Sequence, residues 1–109
     1  MKDESRFHIL SDAMLEHLAE SLEDDDGDWC EVELQGGILT ISLENGQQYL
    51  INKHAVMEQI WVSSPVSGAK HYAYDADRQL WVSTRQNDEI LPDSLSKELS
   101  IAAGKDIVF

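Results

Sequence analysis

The chain has 109 residues, 42% of them hydrophobic, with 21 Asp and Glu against 8 Lys and Arg and a formal charge of −13. That suits a single domain over residues 1–109 with a real core, excludes a disordered acidic tail, and argues against nucleic acid, whose phosphates would be repelled. One cysteine, Cys30, excludes an internal disulfide and a multi-thiolate metal site, and no run of about 18 apolar residues predicts a membrane span.

The first element is a helix over residues 4–23. Phe7, Leu10, Met14, Leu18 and Leu22 recur at three- and four-residue steps and define its apolar stripe, while Asp12, Glu16, Glu20 and Glu23 fall elsewhere. Asp24–Asp28 ends it, with Gly27 free to take a positive φ. Acidic side chains thus sit at a helix C-terminus, where the macrodipole is already negative. Local physics disfavours that placement, which marks it as a functional candidate.

Residues 1–33 carry twelve carboxylates against Lys2 and Arg6, a net of −10. Residues 34–109 carry nine against six cations, a net of −3. Such an asymmetry gives the field a direction.

The period then switches to two. Cys30, Val32 and Leu34 alternate with Glu31, Glu33 and Gln35, and Cys30 has the inward phase of a small buried hydrophobe. Gly36-Gly37 signals a tight hairpin into Leu39, Ile41 and Leu43; Asn45-Gly46 signals a second hairpin of type I′. Gln48–Asn52 and Ile60–Ser63 follow as strands, then the Ser64-Pro65 and Ser67-Gly68 turns, then strands at His71–Tyr74 and Leu80–Ser83. Residues 91–103 return to helical spacing through Leu91, Leu95, Leu99 and Ala102, with Gly104 as the stop. The order predicts an α+β, two-layer sandwich: two helices covering one face of an antiparallel sheet of about six strands.

The acidic ridge comprises Asp12, Glu16, Glu20, Glu23, Asp24, Asp25, Asp26, Asp28, Glu31 and Glu33. Exposed carboxylates are hard, weak ligands for iron, manganese, calcium or magnesium. Two readings stand side by side: a solvated face that keeps the protein soluble, or a surface for a cation or a basic partner. An EF-hand is excluded, since Leu22 stands at the first ligand position and a strand follows where a helix should exit. Trp61 has outward phase with Gln59 and Ser63; it is either a protein-docking anchor or an indole half-covered by its neighbours. The four histidines do not cluster at ligand spacing along the chain, and His17 reads as a surface residue near Glu16 and Glu20. No phosphate loop, nucleophile elbow or Ser/His/Asp order suggests an enzyme.

The stretch Asn52-Lys53, then Gln59-Ile60-Trp61-Val62-Ser63-Ser64-Pro65-Val66-Ser67-Gly68-Ala69-Lys70-His71-Tyr72, resembles the signature of the frataxin family; the chain is read as its bacterial, CyaY-type form, while the loop Ser63 to Gly68 is more similar to the mitochondrial form. The acidic first helix, Gly36-Gly37-Ile38-Leu39-Thr40, Glu44-Asn45-Gly46 and a Trp81 strand before the last helix are similar as well. The resemblance implies weak binding of ferrous and ferric iron on the ridge carboxylates, with other divalent cations as alternatives. It also implies docking on a cysteine desulfurase and an iron–sulfur scaffold protein. Glu20, Glu23, Asp24, Asn52, Gln59 and Trp61 are then the partner-contact residues. The implied role is participation in, and regulation of, iron–sulfur cluster assembly without catalysis. The alternative is a ferroxidase or iron-storage activity on the clustered carboxylates. With neither a signal nor a transit peptide at the start, the chain is expected in a bacterial cytoplasm, or in the mitochondrial matrix if trimmed, as a monomer when no metal is bound. The tail after Gly104 is short, which puts in doubt any stabilisation from a longer tail covering the core.

Overall fold

The computed structural model describes residues 4–24, 29–86 and 88–109. Its elements are α1 (Glu4–Glu23), β1 (Cys30–Gln35), β2 (Ile38–Leu43), β3 (Gln48–His54), β4 (Gln59–Ser64), β5 (Gly68–Asp75), β6 (Leu80–Ser83) and α2 (Leu91–Ala103). The six strands form one antiparallel meander in the order β1-β2-β3-β4-β5-β6. Both helices pack on the same face of it, giving the two-layer α+β sandwich expected from the sequence.

Alternation along each strand decides which side chains meet the helices. Leu39, Ile41, Tyr49, Ile51, Ile60, Val62, Tyr72 and Trp81 point under the helices and join Phe7, Leu15, Leu18, Leu22, Leu91, Leu95 and Leu99 in one core. Burying each Leu or Ile contributes about 1.5–3 kcal/mol.

The helix stripe differs from the one read by spacing. Ser11, Leu15 and Ala19 are buried with Phe7, Leu18 and Leu22, while Leu10 and Met14 are only half-buried flanks. The helix is rotated toward its small residues. Ser11 tolerates burial because its hydroxyl donates back to the His8 carbonyl at 3.4 Å, so small size and a local acceptor replace hydrophobicity. Likewise Ala102 is exposed, and Ala103 packs on the core in its place.

The hairpins divide in the same way. Gly36 and Gly37 both have positive φ, 61° and 77°, as a two-residue primed turn requires. At the second hairpin only Gly46 does, with φ 90°. Asn45 keeps a negative φ and its side-chain oxygen accepts the Gln47 N–H at 2.9 Å. The loop is therefore a longer Asx-turn with a left-handed glycine, not type I′.

At α2, extended Ile90 and Pro92 start the helix, and Gly104 at φ 72° ends it with its N–H on the Ser100 carbonyl at 3.0 Å. After Gly104 the chain returns to the core. Ile107 is buried, its N–H donates to Ser100 Oγ at 2.8 Å, and Ser96 Oγ donates to its carbonyl.

Candidate functional site

Two surfaces carry the sequence-derived candidates. The first is the acidic edge. Glu16, Glu20, Glu23 and Asp24 are exposed along α1 and its last turn, where no basic residue offsets them. Glu31 and Glu33 are exposed on β1, the strand at the sheet edge, which α1 contacts. None of these six is in an ion pair with a described residue. Asp25, Asp26 and Asp28, with the turn around Gly27, lie outside the described residues.

Asp12 differs from the rest of the ridge. Its carboxylate accepts from Lys53 Nζ at 2.7 Å, and the same ammonium lies 3.1 Å from His8 Nδ1. Lys53 reaches it because β3 alternation turns this residue toward the helices, at the end of the sheet beneath α1. Asp12 thus already holds a cation of the protein's own. Among the described residues, no three of His, Cys, Asp and Glu converge on a point where one ion would fit.

The second surface is the sheet face away from the helices. Its side chains from β2 to β5 are Ile38, Thr40, Ser42, Gln48, Leu50, Asn52, His54, Gln59, Trp61, Ser63, Ala69, His71 and Ala73, followed by Asp75 at the end of β5. Apart from Asp75, none carries a permanent charge. Ile38 and Leu50 are 46% and 41% exposed there.

At the centre of this face lies a stack of three rings. Asn52, Trp61 and His71 are cross-strand partners in one row, and His54 is diagonal to Trp61. His54 lies flat on one side of the indole, at 3.9 Å between centroids and 12° between planes. His71 lies flat on the other, at 4.3 Å and 11°. Trp61 Nε1–H donates to Gln59 Oε1 at 2.8 Å, and the Met57 N–H donates to His54 Nδ1 at 3.3 Å. Of the two sequence readings of Trp61, the half-covered indole is the geometry observed, with imidazoles as the cover. The histidines that do not cluster along the chain do converge across the sheet. Spacing missed this. The signal lay in the hairpin register, which places position 61 between positions 52 and 71.

Other carboxylates are built into the structure. Glu98 on α2 accepts from Tyr49 OH at 3.0 Å, Ser64 Oγ at 2.5 Å and Ser67 Oγ at 2.7 Å, tying the β4–β5 turn to the helix. Burial, reinforced by Glu98, pushes the Tyr49 phenol up to about 12. Glu89 accepts from Tyr72 OH at 2.7 Å and pairs with Lys70 at 3.2 Å. Burial pushes Glu89 up, but the Tyr72 and Lys70 hydrogen bonds outweigh it and hold the group below the ordinary carboxylate range. Cys30 is half-buried against the core, less enclosed than its inward phase suggests. A 330 Å³ cavity between α1 and β5–β6 is walled by Phe7, Leu10, Tyr74 and Trp81, and its lining includes no Ser, Cys or His.

A model of the frataxin-like domain matches residues 1–105. This chain belongs to the frataxin family. The Pseudomonas aeruginosa protein named iron-sulfur cluster assembly protein CyaY is 38% identical to it over 79 residues, 72% of this chain and 71% of the relative. A crystal structure of trimeric frataxin from Saccharomyces cerevisiae, complexed with ferrous iron, is 36% identical with a TM-score of 0.75, covering 88% of this chain and 87% of the yeast chain. Frataxin from Psychromonas ingrahamii shares the fold, with a TM-score of 0.86 at 21% identity over 98% of this chain and 97% of its own. Family membership and the sandwich are therefore as the signature stretch implied. No helix among the described residues of this frataxin-family chain is long and apolar enough to cross a membrane.

Proposed function

We propose that this chain binds iron weakly along its acidic edge and takes part in iron–sulfur cluster assembly by docking on a cysteine desulfurase and its scaffold protein. In this reading it regulates assembly by contact and catalyses nothing itself. The observation that carries the proposal is the row of exposed carboxylates on α1 and β1, without ion-pair partners among the described residues, beside a sheet face whose one permanent charge from β2 to β5 is Asp75. Unpaired carboxylates repel one another, and that repulsion is relieved by a cation or by partner Lys and Arg. Because the described ligands are spread and solvated, iron binds as exchangeable cargo and not as a caged ion. The names of the Pseudomonas and yeast relatives, one an iron–sulfur assembly protein and one a ferrous complex, support the choice of metal and pathway.

Glu16, Glu20, Glu23, Asp24, Glu31 and Glu33 are the described iron ligands in this proposal, with Asp25, Asp26 and Asp28 completing the acidic run and Asp12 contributing only when Lys53 releases it. Glu20, Glu23 and Asp24 also meet the partner's cations, while Asn52, Gln59 and Trp61 meet its neutral surface. Iron and partner then share groups, so each changes the other's affinity by the same factor. The net charge keeps the metal-free chain monomeric.

The test is an anaerobic NMR titration of labelled protein with iron(II), then with purified cysteine desulfurase. Both additions are expected to broaden or shift amides in residues 12–33 and leave the core unmoved. Iron that leaves this region untouched while the desulfurase shifts it removes the metal from the proposal. Multiple-turnover oxygen consumption above that of iron in buffer would replace regulation with ferroxidase chemistry.

A further inference from the structure

The cavity between α1 and β5–β6 carries chemistry that neither the acidic edge nor the open face uses. Its walls include Phe7, Tyr74 and Trp81. The three rings brace one another edge to face, with Phe7 and Trp81 at 6.1 Å between centroids and Tyr74 and Trp81 at 5.3 Å. At 330 Å³ the cavity lies at the low end of small-molecule sites, about 300–1,000 Å³, and suits one ring with a short arm. Aromatic walls take an apolar body, and they attract a cation that lies over a ring.

Glu58 borders the same cavity from the β3–β4 turn. Its backbone is left-handed, at φ 52°, and its N–H closes the turn on the Ala55 carbonyl at 3.1 Å. Glycine or asparagine takes that conformation at less cost than Glu. Backbone outliers of this kind cluster at ligand sites. Glu58 Oε2 is shut off from solvent and accepts no hydrogen bond, the one side-chain atom in that state among the described residues. The group is in no ion pair among the described residues. A buried acceptor without a donor costs stability, and a ligand that brings an N–H removes the cost. The last torsion of a Glu side chain is soft and two-fold, so either oxygen can turn to a donor in the cavity.

We infer that this cavity binds a small organic ammonium: a ring-sized apolar body among Phe7, Tyr74 and Trp81, carrying a protonated primary amine whose N–H donates to Glu58. The inference stands apart from iron binding and desulfurase docking and uses none of their residues. Arg6 also borders the cavity, but it is exposed, so water and salt screen its guanidinium more than the covered carboxylate oxygen. The chain's charge of −13 attracts a cation and opposes an anion. Met57, beside Glu58 on the cavity wall and 51% exposed, is unbranched and adapts to the shape of what enters.

The experiment titrates the labelled, metal-free full chain by NMR at about pH 7, where alkylamines are protonated. The probes are phenethylamine, its trimethylammonium derivative and 3-phenylpropionate. Phenethylamine is expected to shift the amides of Phe7, Glu58, Tyr74 and Trp81 saturably, with a Kd of about 1 mM or tighter. The other two should bind at least about tenfold more weakly, the loss expected for one charge-assisted hydrogen bond. Glu58→Gln should weaken phenethylamine by the same factor. Glu58→Gly is the folded control: glycine accepts φ 52°, so its stability to urea should hold or rise while phenethylamine binds no tighter than to Glu58→Gln. Wild-type affinity in either Glu58 variant takes the ligand off the carboxylate and overturns the inference. A trimethylammonium probe as tight as the amine overturns it too, since that probe has no N–H to give. So does 3-phenylpropionate as tight as the amine, which would assign the cavity to Arg6. No saturable shift with phenethylamine up to about 10 mM would leave the cavity to water and overturn the inference outright. Iron and desulfurase are absent from the titration, so none of these outcomes bears on the proposed function.

Discussion

The acidic edge and the open sheet face meet at β1 and β2, yet they are built on opposite principles. Glu33 is the cross-strand partner of Thr40, and Glu31 of Ser42, so one step across the sheet passes from carboxylate to neutral side chain. On the edge, Glu16, Glu20, Glu23, Asp24, Glu31 and Glu33 have no ion-pair partner among the described residues and repel one another. From β2 to β5 the face carries no permanent charge but Asp75, and the polar groups serve one another, as Gln59 serves Trp61. The contrast teaches that the excess of carboxylates is local, a net of −10 over residues 1–33 against −3 over residues 34–109.

The sharpest way to break the comparison is to remove the centre of the neutral side. Trp61→Ala deletes the indole and leaves both imidazoles without a platform. If the face is a docking surface, affinity for the desulfurase–scaffold complex should fall by about 2 kcal/mol or more, roughly 30-fold, with most of the loss in the dissociation rate. The expected effect on folding is smaller, about 1 kcal/mol for the lost stacking. Surface plasmon resonance and urea unfolding separate the two. An unchanged dissociation rate would make the stack purely structural.

Neutralising the other side should act differently. Glu20→Gln/Glu23→Gln/Asp24→Asn is expected to slow association about tenfold at low salt, with the difference fading as salt rises, because it removes attraction and no close packing. Thermal stability should hold or rise, since these groups have no described ion-pair partner and repel their neighbours. A loss of stability would show that the ridge is a structural network.

Paired carboxylates give the opposite sign. The folded state lowers the Glu89 pKa, so this group's contribution is present above the ordinary Glu value and is lost as pH falls through the folded value. Glu89→Gln should therefore be less stable than wild type at pH 7, with the gap closing as both are acidified below about pH 4. Acid unfolding followed by circular dichroism checks it; a gap that widens on acidification would reverse the sign.

The two regions were also unequally legible in the sequence. Helix and strand existence came from periodicity, and even the limits of α1, β6 and α2 agree with it, because strong amphipathic patterns bounded by Gly, Pro and Asp leave few alternatives. The acidic edge was legible because its members are neighbours in sequence. Helix rotation was not, since Ser11 and Ala19 are buried for their size and spacing rewards only large apolar residues. The ring stack was not, because it depends on three strands falling into register. The Asn45-Gly46 turn was misread because the Asn side chain offered the backbone a better local hydrogen bond than a type I′ turn would.

The smallest effect concerns the one ridge residue that is in an ion pair among the described residues. Lys53 presses its stem against Gly37, where an added Cβ would come within 2.8 Å of Lys53 Cε, and its ammonium ends on Asp12 and His8. Lys53→Met keeps the stem and removes the charge. The ion pair is partly solvated, with the Asp12 side chain 48% exposed, so its loss should cost no more than about 1 kcal/mol. The consequence for iron is more informative than the cost. In wild type, iron(II) has to displace an ammonium at 2.7 Å to use Asp12, so broadening at residue 12 should lag behind that at Glu16 and Glu20. In Lys53→Met it should appear at the same iron concentration as theirs. If Asp12 already responds with Glu16 and Glu20 in wild type, the ion pair is no barrier. The division between carboxylates held for the fold and carboxylates held for a cation would then have to be drawn elsewhere on α1.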